Sequence, residues 1–174
     1  FSGGNKPTAA TIFPTYGMVE VYAKIYKYRL IKINDKNINI KKLFNNKLSF
    51  IYIANPNQPS GKHVQEKVIF DIIKKARNKN IFVLLDEAYI DFSKFKSISS
   101  YIKKFHNLII LKTFSKSYGL AGLRIGYLIA NPKFNQILNS VRPTFDISHF
   151  SIKVAEYFLK NNKITKSYIA QVKR

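Results

Sequence analysis

The sequence predicts an α/β fold, in which helices cover both faces of a mostly parallel β-sheet. Short apolar runs alternate with amphipathic stretches along the 174 residues, and strands that alternate with helices are typical of parallel sheets. The run at 49–54 is apolar almost without interruption, as expected of a strand that is buried on both faces. Such sheets bind their ligands at the loops that follow the strands.

The first half of the chain alternates between strand and helix patterns. An apolar run at 8–13 predicts the first strand, and a proline ends it. The spacing of the apolar residues then predicts a helix over 16–27 and a second strand over 28–33. The third strand, at 49–54, ends because two prolines and a glycine in the loop 55–61 exclude both regular elements.

The second half continues the alternation. A stripe of apolar residues at helical spacing predicts a helix over 64–76, and a proline suited to a first helical turn predicts that another helix begins at 132. The remaining apolar runs predict strands at 81–85, 108–111 and 124–130, and the remaining helical patterns predict helices at 98–104, 132–140 and 147–160.

Length and composition fit one folded domain and exclude several classes of protein. Apolar residues make up 46% and charged residues 22% of the chain, which is typical of globular proteins. The absence of cysteine excludes disulfides, thiolate metal sites and a cysteine nucleophile. No apolar run approaches the roughly 20 residues that span a bilayer, so we expect no membrane partner. The first six residues fit neither a signal peptide nor a translation start, which leads us to expect a piece of a longer chain.

The net charge of +21, from 30 basic and 9 acidic residues, is what a nucleic-acid-binding domain would show. However, the basic residues are 25 lysines and only 5 arginines, whereas nucleic-acid readers usually depend on the forked guanidinium of arginine. The lysines are also scattered, with pairs but no block of five or six. We therefore predict a lysine-rich background without a nucleic-acid partner and keep a basic nucleic-acid-binding domain as a remote alternative.

Several common functional motifs are absent. The chain contains no Gly-x-Gly-x-x-Gly, no phosphate loop of the form Gly-x4-Gly-Lys-Ser/Thr and no Gly-x-Ser-x-Gly. His63, His106 and His149 are too dispersed for a local zinc motif. We therefore predict no metal site.

Polar residues collect in the loops after two neighbouring predicted strands. Asp86 follows the strand at 81–85, and Tyr89 comes three residues later. A carboxylate at the end of an apolar strand loses hydration and therefore usually has a cationic partner. The next strand opens into 113–119, where hydroxyls surround one lysine, and Arg124 follows. Hydroxyls, a guanidinium and exposed backbone N–H groups are the ingredients of a phosphate site.

Together these loops resemble the pyridoxal-phosphate enzymes of the aspartate-aminotransferase fold, and most of all the histidinol-phosphate aminotransferase branch. The matching motifs cover nearly the whole chain in the family's order. They are Pro14-Thr15-Tyr16-Gly17-Met18, the loop 55–61, Asp86-Glu87-Ala88-Tyr89, Thr113-Phe114-Ser115-Lys116 and the run from Gly119 to Gly126.

The resemblance implies a role for each site residue. Lys116 would hold pyridoxal phosphate as a Schiff base and later act as the acid/base catalyst. Asp86 would pair with the protonated ring nitrogen, and Tyr89 would hydrogen-bond the phenolic oxygen of the cofactor. Tyr16 would stack on the face of the ring. The cofactor phosphate would be held by Thr113, Ser115 and Arg124.

One position departs from the family pattern. The loop at 55–61 usually ends Asn-Pro-Thr-Gly, and its asparagine donates to the phenolic oxygen of the cofactor, but here it ends Gln58-Pro59-Ser60-Gly61. Glutamine keeps the amide on an arm that is one methylene longer. We therefore expect Gln58 to bind the cofactor after a small shift of the ring or the loop. The change indicates a divergent subgroup, whose substrate need not be histidinol phosphate.

The resemblance also implies the organisation and activity of the protein. Residues 1–146 would form the pyridoxal-phosphate-binding large domain without its N-terminal part, and 147–174 would begin the helical connection to a C-terminal small domain. The expected reaction is transamination between a small-molecule amino donor such as glutamate and a keto acceptor, in amino-acid biosynthesis, by a cytoplasmic homodimer. A decarboxylase of a phosphorylated amino acid, with the same fold, is the alternative, because Lys116 would serve both reactions.

Overall fold

A six-stranded sheet forms the centre of the computed structural model, which describes residues 6–44, 47–143 and 146–173. The strands are β1 (Thr8–Phe13), β2 (Arg29–Asn34), β3 (Phe50–Ala54), β4 (Phe82–Asp86), β5 (Leu108–Thr113) and β6 (Gly126–Ile129). Their order across the sheet is β2-β1-β3-β4-β5-β6. The first five strands run parallel, and β6 is antiparallel to β5. The predicted mostly parallel α/β fold is thereby confirmed.

The helices connect these strands and continue beyond the last one. They are α1 (Met18–Ile25), α2 (Ile40–Leu43), α3 (Glu66–Arg77), α4 (Pro132–Val141), α5 (His149–Lys160) and α6 (Asn162–Val172), with short 3₁₀ helices at Ile90–Phe92, Ser99–Lys103 and Ala121–Leu123. The helix predicted over 98–104 is therefore a 3₁₀ helix, and α2 and α6 were not predicted. No helix within the described ranges is long and apolar enough to cross a bilayer.

The main core lies between α3 and one face of the sheet. The side chains of α3 that face the sheet are fully buried, as the apolar stripe in the sequence predicts: Ile69, Ile72, Ile73 and Ala76. Opposite them are the buried residues of the three central strands, which include Ile51, Ile53, Val83, Leu85, Leu108 and Ile110. This packing holds β3, β4 and β5 side by side, and their carboxyl ends therefore meet at one edge of the sheet.

A second, smaller core joins the C-terminal helices to the loop after β5. Ala155 of α5 packs with Phe114 and Ile125 in this cluster. The ring of Tyr168 on α6 approaches Gly119, whose φ of +67° favours glycine. The predicted domain boundary after residue 146 stays a prediction, and residues 1–5, with which the predicted large domain begins, lie outside the described residues.

Candidate active site

A cavity of about 340 Å³ opens at the carboxyl ends of β3, β4 and β5. This is where an α/β sheet is expected to bind its ligand. The residues singled out in the sequence come from the ends of β4 and β5 and from the loops after β1, β3, β4 and β5, and the fold brings all of them to the wall of this one cavity. They are Tyr16, Gln58, Asp86, Tyr89, Thr113, Ser115, Lys116 and Arg124.

Asp86 is the last residue of β4 and stands at the middle of the sheet edge, since its backbone pairs in register with Ala54 of β3 and Leu111 of β5. Its Oδ1 accepts a hydrogen bond from the backbone N–H of Ala88 at 2.9 Å. Its Oδ2 accepts one from the hydroxyl of Tyr52 at 2.5 Å. Because both oxygens have a protein donor, the carboxylate is held in one orientation.

An amide, a phenol and an amine meet on another wall of the cavity. The Tyr89 hydroxyl donates to Gln58 Oε1 at 3.3 Å, and Lys116 Nζ lies 5.1 Å from the centre of the Tyr89 ring. These three side chains come from three different loops. The longer arm of Gln58 therefore still reaches Tyr89, its expected neighbour at the phenolic oxygen of a cofactor.

Two lysines line the cavity, and their surroundings differ. Lys112 Nζ lies 3.3 Å from Oε2 of the buried Glu87, whose Oε1 accepts from the backbone N–H of Ile98 at 3.1 Å. Within the ranges that the structure describes, Lys116 has no carboxylate at ion-pair distance. Lys112 is thus occupied by a structural ion pair, and Lys116 is the amine that is available to a ligand.

The backbone around Lys116 is fixed on both sides. Thr113 Oγ1 accepts from the backbone N–H of Ser115 at 3.0 Å. On the other side, the buried hydroxyl of Ser117 donates to Asp91 Oδ2 at 2.6 Å. The second bond ties the loop after β5 to the loop after β4. Lys116 therefore projects into the cavity from a short segment that is anchored at both of its ends.

Arg124 follows this segment in a strained conformation. Its φ of 54° lies in the left-handed region, which a residue with a side chain adopts at a cost. Its Nη1 donates to the carbonyl oxygen of Ala121 at 3.0 Å, and the hydroxyl of Thr113 donates to the carbonyl oxygen of Ile125 at 3.3 Å. Strain of this kind persists where the surrounding structure enforces it, and it is common at functional sites.

Tyr16 forms the rim of the cavity, and its side chain is 44% exposed. The loop that carries it is held by Asn57, whose Nδ2 donates to the carbonyl oxygen of Pro14 at 2.7 Å and lies 2.9 Å from Ser60 Oγ. An exposed aromatic ring on an anchored loop is suited to stacking on a flat ligand.

Sequence reasoning missed two polar side chains of the cavity, Tyr52 and Lys112. Both lie within strands, whereas the motifs in the sequence that predict the site lie at the strand ends and in the loops after them. A signal for Tyr52 was present, because it is the polar member of an otherwise apolar run and stands two residues before the end of β3. Residues two apart on a strand share a face.

His63 supports the loop at 55–61 from outside the cavity. Its ring stacks on Phe95 with 3.5 Å between the ring centres, and its Nε2 lies 3.1 Å from Asn55 Nδ2. Because the amide nitrogen is a donor, Nε2 must accept, which requires the neutral ring. Burial lowers the pKa of His63 below its usual value, and the charges of Glu66 and Glu87 oppose this only in part.

Removal of His63 is expected to change how stability depends on pH. Since the folded protein binds the proton of His63 less tightly than the unfolded chain, the free energy of unfolding should fall as the pH drops below about 6.5. Above that range the ring is neutral in both states. His63→Gln should reduce this slope, as measured by urea unfolding between about pH 8 and pH 5. The matched control is His149→Gln at an exposed position of α5, and an unchanged slope in His63→Gln would contradict the assignment.

Comparisons with known proteins match most of the chain. The sequence model of the family "Aminotransferase class I and II" matches residues 9–174. The chain is 38% identical over 158 residues to the histidinol-phosphate aminotransferase of Buchnera aphidicola subsp. Diuraphis noxia, and the match covers 87% of this chain and 43% of that protein. The chain thus spans less than half the length of this curated relative.

Two solved structures illustrate the likeness of fold. The histidinol-phosphate aminotransferase from Sinorhizobium meliloti, in complex with pyridoxal-5'-phosphate, superimposes with a TM-score of 0.84 at 23% identity, over 97% of this chain and 48% of that one. L-threonine-O-3-phosphate decarboxylase from Porphyromonas gingivalis gives a TM-score of 0.79 at 24% identity, and the match covers 90% of this chain and 47% of that one. The fold agrees with these structures, the family's sequence model covers nearly the whole chain, and the chain therefore belongs to the aminotransferase class I and II family.

Proposed function

We propose that the chain is the cofactor-binding part of a pyridoxal-phosphate-dependent aminotransferase. The observation that carries the proposal is that Lys116, Asp86 and Arg124 line one cavity. They supply an amine for the cofactor's aldehyde, a carboxylate for its ring nitrogen and a guanidinium for its phosphate. The volume of about 340 Å³ lies in the range of small-molecule sites. The residues that are present therefore fit this cofactor.

Lys116 and Asp86 would have different roles in the reaction. When bound, pyridoxal phosphate supplies an electron sink for the charge left on the α-carbon of an amino acid. Lys116 Nζ would hold the cofactor and then carry the proton to and from the α-carbon. The carboxylate of Asp86 would accept a hydrogen bond from the N–H of the cofactor ring and stabilise the positive charge of that ring.

The remaining cavity residues would orient the ring. Tyr89 and Gln58, already in contact with each other, would bind its phenolic oxygen, and Tyr16 would cover one face. Ser115 and Arg124 would bind the phosphate. Thr113 would contribute to the same site while its hydroxyl keeps the loop in shape through the backbone N–H of residue 115.

The proposed reaction transfers an amino group from glutamate to a small phosphorylated keto compound. The curated relatives that carry the name histidinol-phosphate aminotransferase support this substrate class. The likeness to the phosphothreonine decarboxylase is one of fold at 24% identity. Transamination is therefore the better supported of the two reactions.

The organisation of the protein is part of the same proposal. Residues 1–146 would form the large domain and 147–174 the start of the connection to a small domain. A second cavity of about 500 Å³, with a mainly aromatic and aliphatic lining, shares Tyr16, Tyr52 and Asp86 with the first. Apolar surface of this kind marks an interaction site or a ligand-binding groove, and the partner subunit of the proposed homodimer would cover it. A cytoplasmic role in amino-acid biosynthesis completes the proposal.

Cofactor and substrate binding test the proposal in two steps. Addition of pyridoxal phosphate to the purified protein should produce a visible absorption band. Incubation of the loaded protein with glutamate and phosphorylated keto compounds should then release 2-oxoglutarate. If no band forms, the proposal is wrong, and release of CO₂ from a phosphorylated amino acid without 2-oxoglutarate would support the decarboxylase instead. Binding to nucleic acid that weakens steeply with salt and needs no cofactor would favour the remote alternative.

A further inference from the structure

Tyr52 holds the carboxylate of Asp86, which lines the cavity. Its hydroxyl donates to Asp86 Oδ2 at 2.5 Å from within β3. We infer that Tyr52 is a positioning residue, which fixes Asp86 in the orientation that recognises a protonated ring nitrogen. The inference rests on the proposed function and extends it to a side chain on the strand beneath the site.

The register of the sheet explains how Tyr52 reaches Asp86. Tyr52 pairs with Leu84, and Ala54 pairs with Asp86, so that the tyrosine lies two residues behind the carboxylate on the neighbouring strand. Two residues of strand span about 6.6 Å, which the length of a tyrosine side chain can cover. Phenylalanine at this position would fill the same space and leave Oδ2 without this donor.

The surroundings of Tyr52 favour the protonated hydroxyl, which is the form that donates to Asp86. The side chain is only 7% exposed, and burial raises the pKa of Tyr52 far above its usual value, with a further contribution from the negative charge of Asp86. The hydroxyl therefore keeps its proton at neutral pH and can donate it to the carboxylate. Hydrogen bonds to a charged group are also stronger than those between neutral groups.

The carboxylate of Asp86 is consequently clamped from two sides. The backbone N–H of Ala88 holds Oδ1, and the hydroxyl of Tyr52 holds Oδ2. Each carboxylate oxygen has a second lone pair, so the clamp still leaves acceptor sites for a ligand. Without Tyr52, the carboxylate would be held at Oδ1 alone, so it could tilt about this one bond, and its alignment with a ring N–H would have to be restored on binding.

A pair of ligands separates this role from a merely structural one. The purified Tyr52→Phe protein is titrated with pyridoxal phosphate and with the benzaldehyde analogue that carries CH in place of the ring nitrogen. We expect the Kd for pyridoxal phosphate to rise about tenfold, the effect of one hydrogen bond to a charged group. The Kd for the analogue should stay within about twofold of wild type, because it offers no N–H to Asp86.

A matched variant and two adverse results complete the test. Tyr28→Phe is the control, since Tyr28 packs edge-on against Phe50 with 5.2 Å between the ring centres and should leave both Kd values unchanged. Equal losses for the two ligands in Tyr52→Phe, or no loss for either, would overturn the inference and leave the proposed function intact. A wild-type protein that does not bind pyridoxal phosphate would overturn the proposed function and this inference with it.

Discussion

Lys116→Ala is expected to abolish the visible band that pyridoxal phosphate produces with the protein, and to remove turnover. Lys116 is the cavity amine without an ion-pair partner in the described ranges. The loss of its proton transfer alone should lower the rate by about 10² to 10⁴-fold, and loss of its bond to the cofactor adds to this. Absorption spectra and the release of 2-oxoglutarate from glutamate measure the two effects separately.

The second cavity lysine provides the control for this variant. Lys112→Arg keeps the positive charge beside the buried Glu87 and should preserve both the band and most of the turnover. If the band persists in Lys116→Ala and disappears in Lys112→Arg, then Lys112 is the amine that holds the cofactor. If the band persists in both, the cofactor is not held by a cavity lysine, and the proposed chemistry is wrong.

The strands were predictable because their apolar residues form short runs, and the run is most continuous in β3, which is buried on both faces. All six predicted strands exist, and each has bounds within two residues of the prediction. The helices were predicted less completely than the strands. The four residues of α2 are too few for a helical period to be visible. In α6, Ile164, Tyr168 and Val172 do recur at helical spacing, but they are exposed in the structure, and Thr165 is the one buried residue of this helix. At 99–103 the pattern correctly indicated a helix, but its hydrogen bonds are of the tighter 3₁₀ type.

The cavity was predictable in the residues at and beyond the strand ends but not in those within the strands. Asp86 ends the apolar strand β4 and Lys116 follows β5, and the parallel order places the ends of those strands at one edge. Tyr52 and Lys112 lie inside strands, where a polar residue is easily taken for part of the core or the surface. Their partners, Asp86 and Glu87, belong to β4 and the loop after it. Such contacts depend on the register between strands, which no single stretch of sequence contains.

Asp86→Asn should separate cofactor binding from catalysis. Asparagine has the shape of aspartate, and its Oδ1 can still accept from the backbone N–H of Ala88 while its Nδ2 donates to the hydroxyl oxygen of Tyr52, so the fold and the reaction with Lys116 should survive. The negative charge beside the ring nitrogen is lost, however. Because removal of one preorganised electrostatic contact typically costs about 10² to 10³-fold in rate, we expect turnover to fall by that amount while the visible band still forms.

The control for Asp86→Asn is Asp71→Asn on α3, which removes a carboxylate outside the cavity and should leave turnover unchanged. A turnover of Asp86→Asn within about twofold of wild type would show that the charge of Asp86 is not used. The double variant Asp86→Asn/Tyr52→Phe tests whether the two side chains act together on turnover. If Tyr52 acts through the carboxylate, its removal should cost little more in the Asp86→Asn background, because residues that act through one contact are not additive. A full, additive loss would mean that the two side chains act independently.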